Sequence, residues 1–233
     1  MHDGKGRGDD GPTAAVAWGD LRRTTPFSRV FGLDRGRCID RYYIEGFLDA
    51  HRTDIRGRVL EVEDGTYTAK FGGPAVTRSD VLHLEPGARH ATICADLARA
   101  EDAIASDAFD CIILTQTLQF IFDVSAAVRN LHRILAPGGV LLATVPGVSQ
   151  ISRYDMDRWG DLWRFTDLSA RKALETAFRP DLTAVGVRGN VLACTAFLHG
   201  LAEQELTRNE LDAVDPDYQL LLVMRAQKEA CPA

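Results

Sequence analysis

Arg56-Gly-Arg-Val-Leu-Glu-Val-Glu-Asp-Gly-Thr-Tyr67, followed by a second apolar run that ends in Val76-Thr-Arg-Ser-Asp80, is the stretch that decides the fold. Val59 to Val62 is a short β-branched and apolar run. Glu63, Asp64 and Gly65 then make an acidic glycine turn, and a second strand closed by Asp80 follows. A strand, a turn and a second strand in that order are how a parallel α/β sheet builds a ligand-binding edge.

Composition limits what this edge belongs to. The chain has 233 residues, 45% of them hydrophobic, and no apolar run near the ~20 residues of a membrane span. With no basic-apolar leader at its start, it reads as one soluble, cytoplasmic domain over residues 21–228. Residues 1–20, rich in glycine and aspartate, have too little apolar surface to repay ordering and are expected to form a disordered tail. A net charge of -6 does not supply the basic field of a nucleic-acid binder, so a small-molecule partner is expected, with no nucleic acid and no membrane. The five cysteines, Cys38, Cys94, Cys111, Cys194 and Cys231, are scattered without Cys-x-x-Cys spacing and read as reduced thiols. His83, His90 and His199 show no ligand spacing either, so no metal is assigned.

Working outward from the turn, Ile39, Tyr43, Ile44, Phe47 and Leu48 recur at helical spacing and predict a helix before the first strand, ending at His51. After Asp80, the run Val81–Arg89 with Ala91–Cys94 reads as a third strand, and Ala100–Ser106 as a short helix. Phe109 to Leu114 is almost continuously apolar, as in a parallel strand covered on both faces. Asp123 is placed to cap a helix whose Val124, Ala127, Val128, Leu131, Ile134 and Leu135 form one stripe. Pro137-Gly-Gly139 ends it, and Val140–Val145 is another buried strand. Thr166 or Asp167 caps a helix reaching Phe178, Leu182–Val187 is a sixth strand, and Asn190–Leu206 a helix. Thr207-Arg-Asn-Glu210 reads as a capping box and Tyr218–Ala226 as the last strand. The fold class expected is α/β: a doubly wound, mostly parallel seven-stranded sheet under an N-terminal helical cap.

Val59-Leu-Glu-Val62 with its turn, Ala95-Asp-Leu97, Phe109-Asp-Cys-Ile-Ile113 and Leu131-His-Arg-Ile-Leu-Ala-Pro-Gly-Gly-Val-Leu-Leu-Ala-Thr-Val-Pro-Gly147 together resemble class I S-adenosylmethionine-dependent methyltransferases. The resemblance covers Arg56 to Gly147, and Asp161-Leu-Trp-Arg-Phe-Thr166 resembles a segment of the small-molecule members. It implies a Rossmann-like fold whose last strand runs antiparallel, and S-adenosylmethionine as cofactor. Asp80 then corresponds to the acidic residue that holds the ribose, Asp96 and Leu97 to the pair that reads the adenine, and Thr115 to a residue between cofactor and acceptor.

The chain departs from the family at the turn, where Glu63 and Tyr67 stand in place of glycines and only Gly65 remains. Backbone approaches the ligand there, so both side chains are expected to narrow the floor under the methionine moiety. A carboxylate about 4 Å from a unit positive charge gains roughly 4 kcal/mol at an effective dielectric of 20, so Glu61 and Glu63 can offset part of the loss against a sulfonium or ammonium. The same carboxylates, with Asp64, repel a pyrophosphate and disfavour NAD.

For the chemistry, the sequence offers Glu45 on the first helix as proton acceptor, with Gln116 and Thr117 after the fourth strand orienting a nucleophile. A solvated glutamate on a polar helix face is the competing expectation. Tyr43, Arg153, Tyr154 and Trp159 are candidate substrate contacts, although the aromatics past Pro146 fit a satellite core as well. Two functions follow: a methyltransferase acting on a small molecule in a biosynthetic (natural-product or saccharide) pathway, or a protein of the same fold that does not methylate. The second would serve as a binding subunit or run another displacement reaction. A partner subunit or a homodimer stays open.

Overall fold

A computed structural model describes residues 17 and 19–230. The expected tail therefore lies almost wholly outside the described residues, as does Cys231.

In chain order the elements are α1 (Ile39–Ala50), β1 (Gly57–Val62), β2 (Val76–His83), β3 (Ile93–Cys94), β4 (Phe109–Thr115), α2 (Val124–Ile134), β5 (Leu135–Pro146), α3 (Arg153–Met156), α4 (Asp167–Leu174), β6 (Thr183–Arg188), α5 (Val191–Leu198), α6 (Arg208–Asp212) and β7 (Leu221–Gln227). The sheet order is β3-β2-β1-β4-β5-β7-β6. Strands β1 to β5 pair in parallel, and β7 runs antiparallel between β5 and β6. This is the Rossmann-like methyltransferase arrangement.

The central strands alternate between two cores, because successive side chains of a strand point to opposite faces. Leu60, Ile112, Leu141 and Leu222 face one core, which Ala127, Val128 and Leu131 of α2 and Leu174 of α4 complete. Val59, Ile113, Leu142 and Val223 face the other, under Ile39, Ile44, Phe47 and Leu48 of α1 and Phe197 of α5. Both faces of these strands are apolar, so helices must cover both. Burying each large side chain of α1 contributes about 1.5–3 kcal/mol, and this fixes α1 across the sheet.

Local signals set most of the boundaries. Asp123 accepts a hydrogen bond from the Ala126 N–H and opens α2, Thr166 does the same for α4 through Ser169, and the Thr207–Glu210 capping box is formed. Several expectations shift: α4 ends at Leu174 rather than Phe178, and α2 ends at Ile134, so that Pro137-Gly-Gly139 falls within β5. The β2 strand runs three residues past Asp80, and β3 shrinks to Ile93–Cys94. The expected helix over 100–106 is replaced by a 3-10 turn at Leu97–Arg99, and α5 stops at Leu198 rather than Leu206. Gly200 accounts for the last: its φ is +70°, and a Cβ there would lie 2.3 Å from the Ser28 carbonyl oxygen. Cys94 is exposed, while Cys38, Cys111 and Cys194 are buried free thiols. Among the described residues no helix is long and apolar enough to cross a membrane.

Candidate functional site

A cavity of about 420 Å³ opens at the carboxyl ends of β1, β2, β3 and β4, where an open parallel sheet leaves room for a ligand. Val62, Leu82, Leu84, Ala95 and Leu97 give it an apolar wall on the β2–β3 side. Thr115, Gln116 and Thr117 enter from the end of β4, and Tyr154, Trp159 and Arg164 from the segment after β5. Seven acidic residues (Asp40, Glu61, Glu63, Asp64, Asp96, Asp155 and Asp161) line it against two arginines, Arg41 and Arg164. That balance favours a cationic ligand and disfavours a pyrophosphate.

The turn after β1 is built on Glu61. Its buried carboxylate accepts hydrogen bonds from the N–H groups of Tyr67 (3.0 Å) and Thr68 (2.7 Å) and from the Thr68 hydroxyl (2.7 Å). Glu61 thereby satisfies the orphan donors of the helical turn Thr68–Gly72. Burial pushes its carboxyl up, and the Thr68 and Tyr67 donors oppose that.

Glu63 has φ +80°, so a glutamate holds the left-handed conformation that glycine adopts without penalty. Its side chain turns out toward solvent and lies 3.4 Å from Nε2 of His83. Gln116 is also left-handed, with φ +47°, and its N–H is fixed by the Thr144 carbonyl at 2.9 Å. Two strained non-glycine residues thus flank the cavity at the ends of adjacent strands, a placement typical of binding sites. Gly65 does not line the cavity, and a Cβ there would meet only Val81 and Ser79 at 3.6 Å or more. Crowding within the protein does not require glycine at that position.

Tyr67, in the place of the last glycine, is buried against Phe71, with ring centroids 6.1 Å apart. Its hydroxyl accepts from Nη1 of Arg41 at 2.6 Å. The side chain lines the cavity as expected, but it is also a core residue and an anchor for that arginine.

Four sequence-derived placements are corrected. Asp80 lies inside β2, opposite Leu60, and does not reach the cavity. It is buried and held by Arg58 (2.7 Å), Arg78 (3.0 Å) and Thr92 (3.1 Å). Val81 and Leu82 carry the strand onward, so the acidic residue just past its end is Glu85. That position is legible in the apolar Val81-Leu-His-Leu84 run that continues past Asp80, but sequence reasoning missed it. Glu85 is exposed, and its neighbours His83 and Leu84 line the cavity. Glu45 stands away from Gln116, bound to Arg37 (2.6 Å) and Lys70 (2.5 Å) around a separate depression on the other side of α1. Tyr43 turns inward, its hydroxyl donating to the Leu211 carbonyl, because α1 packs that face on the sheet. Arg153 is exposed outside the cavity.

Asp96 and Leu97 do line the cavity. Asp96 caps the 3-10 turn through the Ala98 N–H (2.9 Å), which points Leu97 into the apolar wall. Sequence reasoning also missed Asp40, Arg41 and Gln119, all of which line the cavity. The side-chain oxygens Asp40 Oδ1 and Gln119 Oε1 are buried with no partner among the described residues.

A family profile described as Methyltransferase domain matches residues 22–178. The chain belongs to this methyltransferase family. Among solved structures, an S-adenosylmethionine-dependent methyltransferase from Mesorhizobium loti is 18% identical, with 84% of this chain and 100% of that one covered, at a TM-score of 0.52. The N-methyltransferase NodS from Bradyrhizobium japonicum, solved with S-adenosyl-L-homocysteine, is 16% identical over 83% of this chain and 89% of its own (TM-score 0.50). The [4+2]-cyclase SpnF is 16% identical over 81% of each chain (TM-score 0.52). No curated protein matches in sequence. The family therefore carries both methyl transfer and the fold expected from the sequence, and these distant likenesses add the fold alone.

The ion pairs of Asp80 predict a pH effect. Burial pushes its carboxyl up, but hydrogen bonds from Arg58, Arg78 and Thr92 outweigh that and hold it below the ordinary range. Asp80 therefore stabilises the fold fully above the unfolded value of about 3.9, and this contribution is lost as pH falls through the lower folded value. Asp80→Asn should cost about 1–3 kcal/mol at neutral pH, since the half-exposed arginines rehydrate. Urea unfolding should also show a flatter decline in stability below pH 4 than in the parent. An unchanged acid limb would remove Asp80 from that role.

Proposed function

We propose that the protein is an S-adenosylmethionine-dependent methyltransferase acting on a small molecule, with the cavity at the carboxyl edge of β1–β4 as its site. The observation that carries this reading is the coincidence there of an apolar slot (Val62, Leu82, Leu97), an acidic lining and two buried acceptor oxygens without partners. An adenosyl group with a sulfonium and an ammonium has that chemistry. The residues present fit it: Asp96 and Leu97 for the adenine, Glu85, one residue past the cavity-lining Leu84, for the ribose, and the acidic turn after β1 for the charged end.

When bound, the cofactor supplies an electrophilic methyl group on sulfur. The chain's own task is then to orient an acceptor and exclude water, which accounts for most of the rate in such a displacement. Thr115, Gln116 and Thr117, at the end of β4, line the same cavity as Phe120, Tyr154 and Trp159. Gln116, locked by its backbone, presents a side chain that both donates and accepts toward an acceptor hydroxyl or amine. Tyr154 and Trp159 cover an aromatic or saccharide ring, which points to a small biosynthetic substrate.

Incubation with methyl-tritiated S-adenosylmethionine and a panel of small phenols, amines and glycosides is the test. Label passing to the small-molecule fraction supports the reading. Saturable cofactor binding with no transfer to any acceptor favours the non-methylating alternative, for which the glutamate and tyrosine at glycine positions speak.

A further inference from the structure

One cluster on the cavity wall has no partner in the fold that explains its charge. Asp40 and Arg41 are consecutive residues in the first turn of α1, and both line the cavity across from the turn after β1. Oδ1 of Asp40 is buried and has no hydrogen-bond partner, and burial pushes its carboxyl up, with Arg41 opposing. A carboxylate early in a helix is favoured by the macrodipole, which accounts for its presence on α1 but not for a buried, unpartnered oxygen on a residue that lines the cavity. Arg41 is tied at Nη1 to the Tyr67 hydroxyl, which leaves its remaining N–H donors unengaged among the described residues. Each charge favours the other's ionised form, but the hydrogen bond that Arg41 makes goes to Tyr67 and not to Asp40. A fixed carboxylate and a fixed guanidinium side by side, each with unused capacity, complement one ligand chemistry: an α-ammonium carboxylate.

We infer that Asp40 and Arg41, with Tyr67 as the anchor of the arginine, form the receptor for the amino-acid end of the cofactor. Asp40 accepts from the ammonium and Arg41 donates to the carboxylate. The inference rests on the reading of the cavity as an S-adenosylmethionine site and adds the residues that hold its zwitterionic end. It also reverses the expected role of Tyr67. The side chain that replaces glycine supports the ligand by holding Arg41, and the lost backbone contact is exchanged for a side-chain one. Four other carboxylates of the cavity are already engaged: Glu61 by Thr68, Asp64 by Thr66, Asp96 by Ala98 and Asp161 by Arg164.

Two nucleosides separate the parts of the site by calorimetry: S-adenosylhomocysteine, which carries the amino-acid end, and 5′-methylthioadenosine, which lacks it. In Asp40→Asn and in Arg41→Gln, affinity for S-adenosylhomocysteine should fall tenfold or more, and affinity for methylthioadenosine should stay within twofold of the parent. The unchanged methylthioadenosine affinity also shows that each variant is folded. Equal loss for both nucleosides, or no loss for S-adenosylhomocysteine, overturns the assignment while leaving the cofactor site standing. Failure of the parent to bind either nucleoside overturns both.

Discussion

Tyr67→Ala is expected to lower the unfolding free energy by about 3–5 kcal/mol, the cost of removing a buried aromatic ring together with the cavity it leaves. Tyr67 is 7% exposed, packs on Phe71 and holds Arg41 through its hydroxyl, so neither its volume nor its hydrogen bond is replaced by water without penalty. Tyr67→Phe keeps the ring and should cost only about 1 kcal/mol, the net worth of one hydrogen bond. The contrast separates packing from polar contact, and urea unfolding of the two variants measures it. A loss under 1 kcal/mol in Tyr67→Ala would mean that the ring is not part of the core. Returning this position to the family's glycine should destabilise the protein at least as much.

Glu61→Ala should have an effect of similar size for a different reason. The carboxylate is the acceptor for the Tyr67 and Thr68 N–H groups and the Thr68 hydroxyl, all of them buried around the turn. Deleting it leaves these donors unsatisfied at about 1–3 kcal/mol each, and partial relaxation brings the total to about 3–5 kcal/mol. Glu61→Gln retains one acceptor oxygen but sets an amide NH2 against a donor, so its loss should fall between the parent and Glu61→Ala. Because the turn borders the cavity, nucleoside affinity should fall with stability in both variants. A Glu61→Ala protein within 1 kcal/mol of the parent would show that the turn is held by other contacts.

The sheet was largely legible because its signals are local. The almost continuously apolar runs at 109–114 and 140–145 read as strands covered on both faces, and the caps Asp123 and Thr207 mark their helices within three residues. The site was legible where it sits next to such a signal: Asp96, Leu97, Thr115, Gln116 and Thr117 follow strand ends directly and do line the cavity. Asp80 misled because Thr77, Arg78, Ser79 and Asp80 look like the end of a strand. The polar stretch is tolerated inside β2 because Arg58 of the neighbouring strand and Arg78 compensate the buried carboxylate. Glu45 and Asp40 share a helix, and their spacing alone does not say which faces the ligand. That depends on Arg37, just before the helix, and Lys70, 25 residues further on, drawing Glu45 outward. The receptor formed by Asp40 and Arg41 depends on Tyr67 reaching back to α1, a tertiary contact without a local signature.

Calorimetric titration of the full chain with S-adenosylhomocysteine decides whether the cavity at the carboxyl edge of β1–β4 is a cofactor site. The account predicts saturable binding at one site per chain, weakened about tenfold, or about 1.4 kcal/mol, by Glu85→Ala and unaffected by Asp80→Asn. Absence of binding by the parent, or a loss confined to Asp80→Asn, would contradict it.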